Sequence, residues 1–245
     1  MKKQFYDLWR NKSELENAGI QNLKLSKKLI LENIPSNEIV SIYVKGSFVR
    51  REMVSKSDID IITVLKTKKH FGKIKKLDKW GERSNLKPYP QFLGYSLWEL
   101  KTGKRIKNNI GGASPSRMVK HLKEYKLIYG RDLVKENLFT RTDEEDLEKL
   151  ANVFRKEFIP QYERGNFSFG MLIKQTFWLI ENEQKVKGKN PPHQWKKLRD
   201  SIKDRNHIIY DAWRLREIPS KDKAIRKEYV NKLKKYIKKN RRLLE

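Results

Sequence analysis

The sequence lacks cysteine, has few histidines and contains no long apolar run, and each absence narrows the possible functions. Without cysteine there is no disulfide framework, no thiolate nucleophile and no thiolate zinc site. The four histidines are scattered without metal-ligand spacing, so a bound metal is expected to have carboxylate ligands. No apolar segment approaches the roughly 20 residues that cross a bilayer, and none follows the basic start. We therefore expect a cytoplasmic protein without a membrane partner.

Acidic residues are scarce relative to basic ones. The 245 residues include 57 Lys plus Arg against 30 Asp plus Glu, a formal net charge of +27. Such a charge attracts polyanions, so RNA is an expected partner. A lysine-rich proteome or adaptation to heat would produce the same excess. The excess is pronounced in the last 26 residues, which hold 11 Lys or Arg against 3 acids.

The first half alternates helix and strand patterns, which predicts an α+β fold: a small mixed β-sheet with helices packed on it. Short β-branched runs between turn formers predict the strands, and the nearly continuous apolar run over 59–65 indicates a sheet covered on both faces. The predicted strands are 39–44, 59–65, 91–97 and 126–130. The predicted helices are 13–32, 68–83 and 115–125.

Strand patterns end near Arg141, so the second half is predicted to be a separate helical bundle. Helices are predicted over 143–162, 167–187, 192–203 and 208–215. Apolar residues recur every four positions in the basic C-terminal segment, which predicts a basic amphipathic helix; they are Ile225, Tyr229, Leu233 and Ile237. We expect two domains, 1–141 and 142–245, the first catalytic and the second binding an acceptor.

Two aspartates and a glycine–serine pair point to metal and phosphate chemistry. Asp58 and Asp60 lie two residues apart on a predicted strand, so their side chains project from one face. Neighbouring carboxylates repel each other unless a cation lies between them, and Mg²⁺ prefers oxygen ligands. Gly46 allows a close backbone approach, and Ser47 at a helix start favours a phosphate. Taken alone, Gly-Ser after a strand is typical of an ordinary turn. The alternative of two solvated acids on an exposed strand is weakened by the apolar residues around them, which are typical of a central strand.

Together these residues form a recognisable pattern. The pattern resembles the signature of the DNA polymerase β-like nucleotidyltransferase superfamily. It consists of Gly46-Ser47, a nine-residue spacer and then Ser57-Asp58-Ile59-Asp60-Ile61. The resemblance covers 39–65 well and continues loosely to Leu133, as in small two-domain members of the minimal or aminoglycoside type. It implies transfer of NMP, with ATP as the expected donor, to an acceptor hydroxyl. Asp58 and Asp60 would ligate Mg²⁺ or Mn²⁺ in a two-metal reaction, and Gly46 with Ser47 would hold the β- and γ-phosphates.

The superfamily's third carboxylate is harder to place. It normally lies on the next strand, but 91–97 contains no acid, and the nearest is Glu99. Glu99 is therefore the candidate general base, with the alternative that it only begins a helix. Four basic residues near the motif are candidate phosphate contacts, although surface cations would look the same: Arg50 and Arg51 after Ser47, and the flanking Lys45 and Lys56.

Three interpretations of the whole chain stay open at this stage. The first is an enzyme whose acceptor is anionic (RNA) or a protein. The second is a small-molecule enzyme of the aminoglycoside type, for which a +27 chain is a poor environment because the acceptor is a polycation. The third is a non-catalytic protein that binds RNA or nucleotides on the same scaffold. The sequence does not indicate an oligomeric state.

Overall fold

The computed structural model describes residues 3–107 and 112–241, with side chains as far as residue 239. This part of the chain forms a four-stranded mixed sheet and eleven α-helices, with only helices after the sheet, so the predicted α+β class is confirmed. The chain divides into two compact units, Met1–Thr140 and Arg141–Glu245. The catalytic and acceptor-binding roles of the two halves stay predictions. No helix within the described ranges is both long and apolar enough to span a membrane.

The first unit is a sheet between two layers of helices. The strands lie in the order β3-β2-β1-β4: β1 (Ile39–Lys45), β2 (Asp58–Leu65), β3 (Tyr89–Ser96) and β4 (Lys126–Gly130). One face packs on α1 (Glu14–Asn33) and α3 (Phe71–Arg83), and the other on α4 (Leu97–Thr102) and α5 (Pro115–Lys120). Burial of β2 on both faces explains its nearly continuous apolar run.

Strand pairing fixes the position of the glycine–serine turn. β1 and β2 are antiparallel with Lys45 opposite Asp60, so the end of β1 meets the start of β2. The connection between them carries the one-turn helix α2 (Ser47–Arg50). Phe48 of α2 is fully buried against α1, where Gly19 provides the space, because a Cβ at residue 19 would lie 2.7 Å from the Phe48 ring. Gly19 therefore lies within α1 and leaves room for Phe48, which holds the turn against this helix.

The second unit is a helical bundle: α6 (Asp143–Val153), α7 (Ile159–Glu163), α8 (Phe169–Val186), α9 (Trp195–Ser201), α10 (Ile208–Glu217) and α11 (Lys223–Arg241). The single helix predicted over 143–162 is instead divided by a π-helical turn, Phe154–Phe158. Pro160 follows that turn, and because proline has no N–H, a regular hydrogen-bond ladder cannot continue through it. In α11, Tyr229, Leu233 and Ile237 are buried, whereas Ile225 is 37% exposed.

An ion pair fastens α2 to α1. Arg51, directly after α2, donates from Nε to Glu16 Oε1 (2.7 Å) and from a terminal nitrogen to Oε2 (3.0 Å). The Ser13 N–H also donates to Glu16, which completes the cap of α1. The hydrogen bonds from Arg51 are the main cause that lowers the pKa of Glu16 from 4.5 to about 2. Arg51 lies beside the predicted phosphate-binding turn, but its guanidinium is already used in this structural ion pair.

Replacing Glu16 with glutamine is expected to lower the free energy of unfolding at neutral pH. The variant's free energy of unfolding should also change less as the pH falls. Because the folded-state pKa is depressed, the carboxylate stabilises fully above about pH 4.5 and loses this effect as the pH falls toward 2. Thermal unfolding across this range measures both effects. Glu14→Gln, on the exposed side of the same helical turn, is the control. Parallel curves for wild type and Glu16→Gln would contradict the assignment.

Candidate active site

Asp58 and Asp60 begin β2 on one face of the sheet. Both side chains are half-buried, whereas Ile59 and Ile61 are fully buried on the opposite face. The strand continues on the aspartate face with Ile62 and Val64, which belong to the apolar core under α4 and α5. The acid pair therefore lies where that core ends, close enough to solvent to receive a ligand.

The glycine turn lies directly against Asp60. Gly46 has φ +82° and ψ −157°, a conformation that side-chain-bearing residues rarely adopt. A Cβ at position 46 would overlap Asp60 Oδ2. Only glycine therefore lets the end of β1 pass so near the carboxylate, which brings one acid and the turn into contact.

The other predicted phosphate contacts differ from one another. Ser47 is the first residue of α2, and its hydroxyl forms no hydrogen bond with the residues that the structure describes. Arg50 is exposed and donates from Nε to Glu52 Oε2 (2.7 Å). Lys56 is exposed in the turn before β2. The structure brings Gly46, Asp58 and Asp60 together beside Ser47, whereas Arg50 is already paired.

Two further side chains contact the acid pair: Lys45, a predicted phosphate contact that pairs with an acid, and Tyr89, which the sequence-based predictions missed. Lys45 Nζ lies 3.1 Å from Asp60 Oδ1 and balances its charge. Tyr89 is opposite Asp58 in the parallel β2–β3 pairing and forms a hydrogen bond with its side chain. Burial and the adjacent charge of Asp58 raise the pKa of the Tyr89 phenol, so Tyr89 stays protonated and acts as a donor. Only the strand register reveals this contact.

Comparison with known proteins agrees with this geometry. Residues 26–102 match the family model of the nucleotidyltransferase domain. Over this segment the chain resembles a nucleotidyltransferase domain. The matched segment contains β1, α2, β2 and β3, and thus both acids and the glycine turn. A general NMP-transfer function is supported on this basis.

Comparison with whole proteins and solved structures adds less. A proposed nucleotidyltransferase from Sulfolobus solfataricus, solved at 1.40 Å, shares 24% identity over 37% of this chain and 82% of its own. The TM-score of 0.28 is too low for this likeness to carry weight. No curated protein matches the chain.

Among the residues that the structure describes, no third acid joins the pair. Gln91 on β3 is opposite Asp60, at the point where a carboxylate on the neighbouring strand would complete the group. Across 3–107 and 112–241 no group of three or more His, Asp or Glu is positioned to hold a metal. Gln91 offers a neutral amide, which can coordinate a cation but cannot act as a general base.

Glu99, the predicted general base, has a structural position. It is fully buried in the first turn of α4, and its Oε2 accepts hydrogen bonds from the Ser96 N–H (2.8 Å) and hydroxyl (3.0 Å). Its Oε1 accepts from the Ile106 N–H (2.8 Å). These contacts cap α4 and fasten the segment after it. We therefore interpret Glu99 as a capping residue in place of the catalytic role predicted for it.

Replacing Glu99 with glutamine distinguishes a capping role of this carboxylate from a role as general base. Glutamine keeps one acceptor oxygen but places its NH2 group against the donors at Ser96 or at Ile106, which is expected to cost about 1–3 kcal/mol in the free energy of unfolding, with the rate constant of transfer nearly unchanged. Loss of a general base would lower that rate by about 10²–10⁴-fold. Urea unfolding and initial rates measure the two effects. Ser96→Ala, which weakens the same cap without altering the carboxylate, is the control.

Proposed function

We propose that the nucleotidyltransferase domain transfers NMP from a nucleoside triphosphate, with ATP as the first candidate, to a hydroxyl of an RNA acceptor. The observation that carries the proposal is the contact of Asp60 with the Gly46 turn, with Asp58 next to it on the same face. A cation at the carboxylates and a polyphosphate at the turn would then be neighbours. We set a polycationic acceptor aside because of the net charge of +27.

The donor set fits one divalent cation that arrives with the triphosphate. Mg²⁺ in such sites is commonly held by one or two carboxylates together with substrate phosphates, and Asp58 and Asp60 supply that number. A second, acceptor-side metal would need another carboxylate, and among the described residues none joins the pair. Bound at Asp58 and Asp60, Mg²⁺ or Mn²⁺ would offset charge on the leaving pyrophosphate.

The protein residues supply mainly positioning and electrostatics, which dominate phosphoryl-type transfers. Gly46 leaves the backbone open to a phosphate, and the Ser47 hydroxyl is available to donate to it. Lys45 balances Asp60 at 3.1 Å and would compete with a cation for Oδ1. The proposal assigns no carboxylate as base toward the acceptor hydroxyl, because Glu99 caps α4.

One observation favours a second candidate, a non-catalytic protein that binds RNA or nucleotides. Lys45 pairs with a carboxylate that a metal requires, and Gln91 stands where another acid would complete the group. In a site that has lost catalysis, the glycine turn would remain, but the charge of one acid would be offset by a lysine and the third acid would be replaced by an amide.

Labelled nucleotides distinguish these candidates. The protein is incubated with each labelled NTP and Mg²⁺ or Mn²⁺, with total RNA, with an aminoglycoside, or without an added acceptor. We expect metal-dependent label on RNA from one NTP, and none with Asp58→Asn. Label on the protein or on the aminoglycoside would identify another acceptor class. RNA binding without any transfer would favour the non-catalytic candidate.

A further inference from the structure

The helical unit contains a cavity of about 600 Å³ with a basic rim. The cavity lies between the C-terminal end of α8, the segment joining α9 to α10, and α11. Six lysines line it, against three acids (Glu183, Asp204 and Asp211): Lys187, Lys189, Lys203, Lys232, Lys235 and Lys239. The last three are spaced i, i+3 and i+7 on α11, so they share one face of that helix.

Most of these lysines lack an internal partner. Lys187 donates to Glu183 (2.7 Å), and Lys232 pairs with Asp211 (3.2 Å) and Glu228 (3.1 Å). Four others are exposed and form no ion pair with residues of the described ranges: Lys189, Lys203, Lys235 and Lys239. These four cations, supplied by three segments around one cavity, are available to the phosphates of a ligand.

The wall of the cavity is an ordered polar network around Glu183. The buried Glu183 accepts hydrogen bonds from Tyr236 (2.6 Å) and Lys187 (2.7 Å). His207 Nδ1 accepts from the Ile209 N–H, so Nε2 carries the proton directed at Glu183, 3.2 Å away. The carboxylate is thus neutralised by its own neighbours and opposes an incoming anion only weakly.

The side chain of Gln184 has an oxygen that needs a hydrogen-bond donor from the ligand. This side chain is 3% exposed, and its Nε2 donates to Glu183 (3.1 Å). Its Oε1 accepts no hydrogen bond from the residues that the structure describes. A phosphate offers only acceptors near neutral pH, whereas RNA carries both phosphates and 2′-hydroxyl donors. A ligand that satisfies both the rim and the wall carries several phosphates and a hydroxyl donor, and RNA offers both along one strand.

We propose that this cavity binds single-stranded RNA, with phosphates at Lys189, Lys203, Lys235 and Lys239 and a 2′-hydroxyl that donates to Gln184 Oε1. As an acceptor site it rests on the proposed function, whereas as an RNA-binding site it depends only on the helical unit. A cavity of this size accommodates a nucleotide-sized group, and the lysines extend the contact along the strand.

Charge reversal at matched positions tests the proposal. The affinity of a short labelled RNA strand is measured by fluorescence anisotropy at several salt concentrations, for wild type, Lys235→Glu/Lys239→Glu and Lys227→Glu/Lys238→Glu. The last variant changes the same net charge on exposed faces of α11 outside the cavity. We expect the cavity variant to lose about tenfold or more in affinity and about 1.4 in the salt slope. Equal losses in both variants would overturn the proposal.

Two further comparisons identify the ligand. DNA of the same sequence should bind more weakly than RNA. The Gln184→Met variant should show a smaller difference in affinity between RNA and DNA, and the dependence of its RNA affinity on salt should equal that of wild type. Tripolyphosphate at equal phosphate concentration should compete poorly. Equal binding of DNA, or competition by tripolyphosphate as strong as by RNA, would overturn the assignment to RNA. Asp58→Asn, tested in parallel, should bind RNA as wild type does, so a failure of transfer is distinguished from a failure of this site.

Discussion

Replacing Asp60 with asparagine is expected to lower NMP transfer by about a thousandfold or more. The carboxylate lies between the Gly46 turn and Lys45. In the part of the chain that the structure describes, it is one of two acids available to a cation there. Asparagine keeps the size of the side chain but removes its charge. A metal ion supplies several kcal/mol of transition-state stabilisation, and each 1.4 kcal/mol corresponds to a tenfold change in rate.

The fold is expected to tolerate this substitution, because Asp60 is half-buried and its ion pair with Lys45 reaches solvent. Thermal unfolding of the variant should therefore stay close to that of wild type, and calorimetric titration of Mn²⁺ with a non-hydrolysable triphosphate should show weakened binding. Glu32→Gln, at the exposed end of α1, removes one negative charge far from the acid pair and should retain full activity. Near-wild-type transfer by Asp60→Asn would exclude the metal role.

The parts of the site that the sequence predicts are those set by local geometry. The period of two in a strand is enough to put Asp58 and Asp60 on one face, and a glycine after a strand suggests a turn that approaches a ligand. The structure places the Gly46 turn against Asp60, and binding of a ligand at that turn stays a prediction. The role of Glu99 was also encoded locally, since Ser96 and Glu99 have the spacing of a capping box. This spacing favours the alternative that Glu99 begins a helix.

The parts that the sequence does not predict depend on which strands and helices become neighbours. Tyr89 and Gln91 face the acid pair only because β3 runs parallel to β2 in one register. The pair of Arg51 with Glu16 joins α1 to the residue that follows α2, far apart in the sequence. The lysine-rich cavity needs three segments of the second unit to pack together. A run of basic residues in the sequence gives the charge of α11 but not the face on which a ligand is bound.

Replacing Gly46 with alanine is expected to disable transfer with both carboxylates still present. The backbone at this position costs a side-chain-bearing residue about 1–3 kcal/mol, and the new Cβ would overlap Asp60 Oδ2. Either the carboxylate rotates away or the turn shifts, and both separate the cation site from the phosphate site. Misplacement on the order of 1 Å lowers such rates by about a hundredfold.

Gly72→Ala is the matched control for that variant. Gly72 lies in α3 of the same unit, and a Cβ there meets nothing within 4 Å, so the same chemical change should leave stability equal or raise it by about 0.4–1 kcal/mol. We expect Gly46→Ala to lower both the unfolding temperature and the rate of transfer, and Gly72→Ala to lower neither. Because the variant retains both Asp58 and Asp60 in its sequence, its failure would show that the acids act only when the Asp60 carboxylate and the Gly46 turn keep their present arrangement. If Gly46→Ala kept full activity at reduced stability, the turn would be structural and the polyphosphate would bind elsewhere.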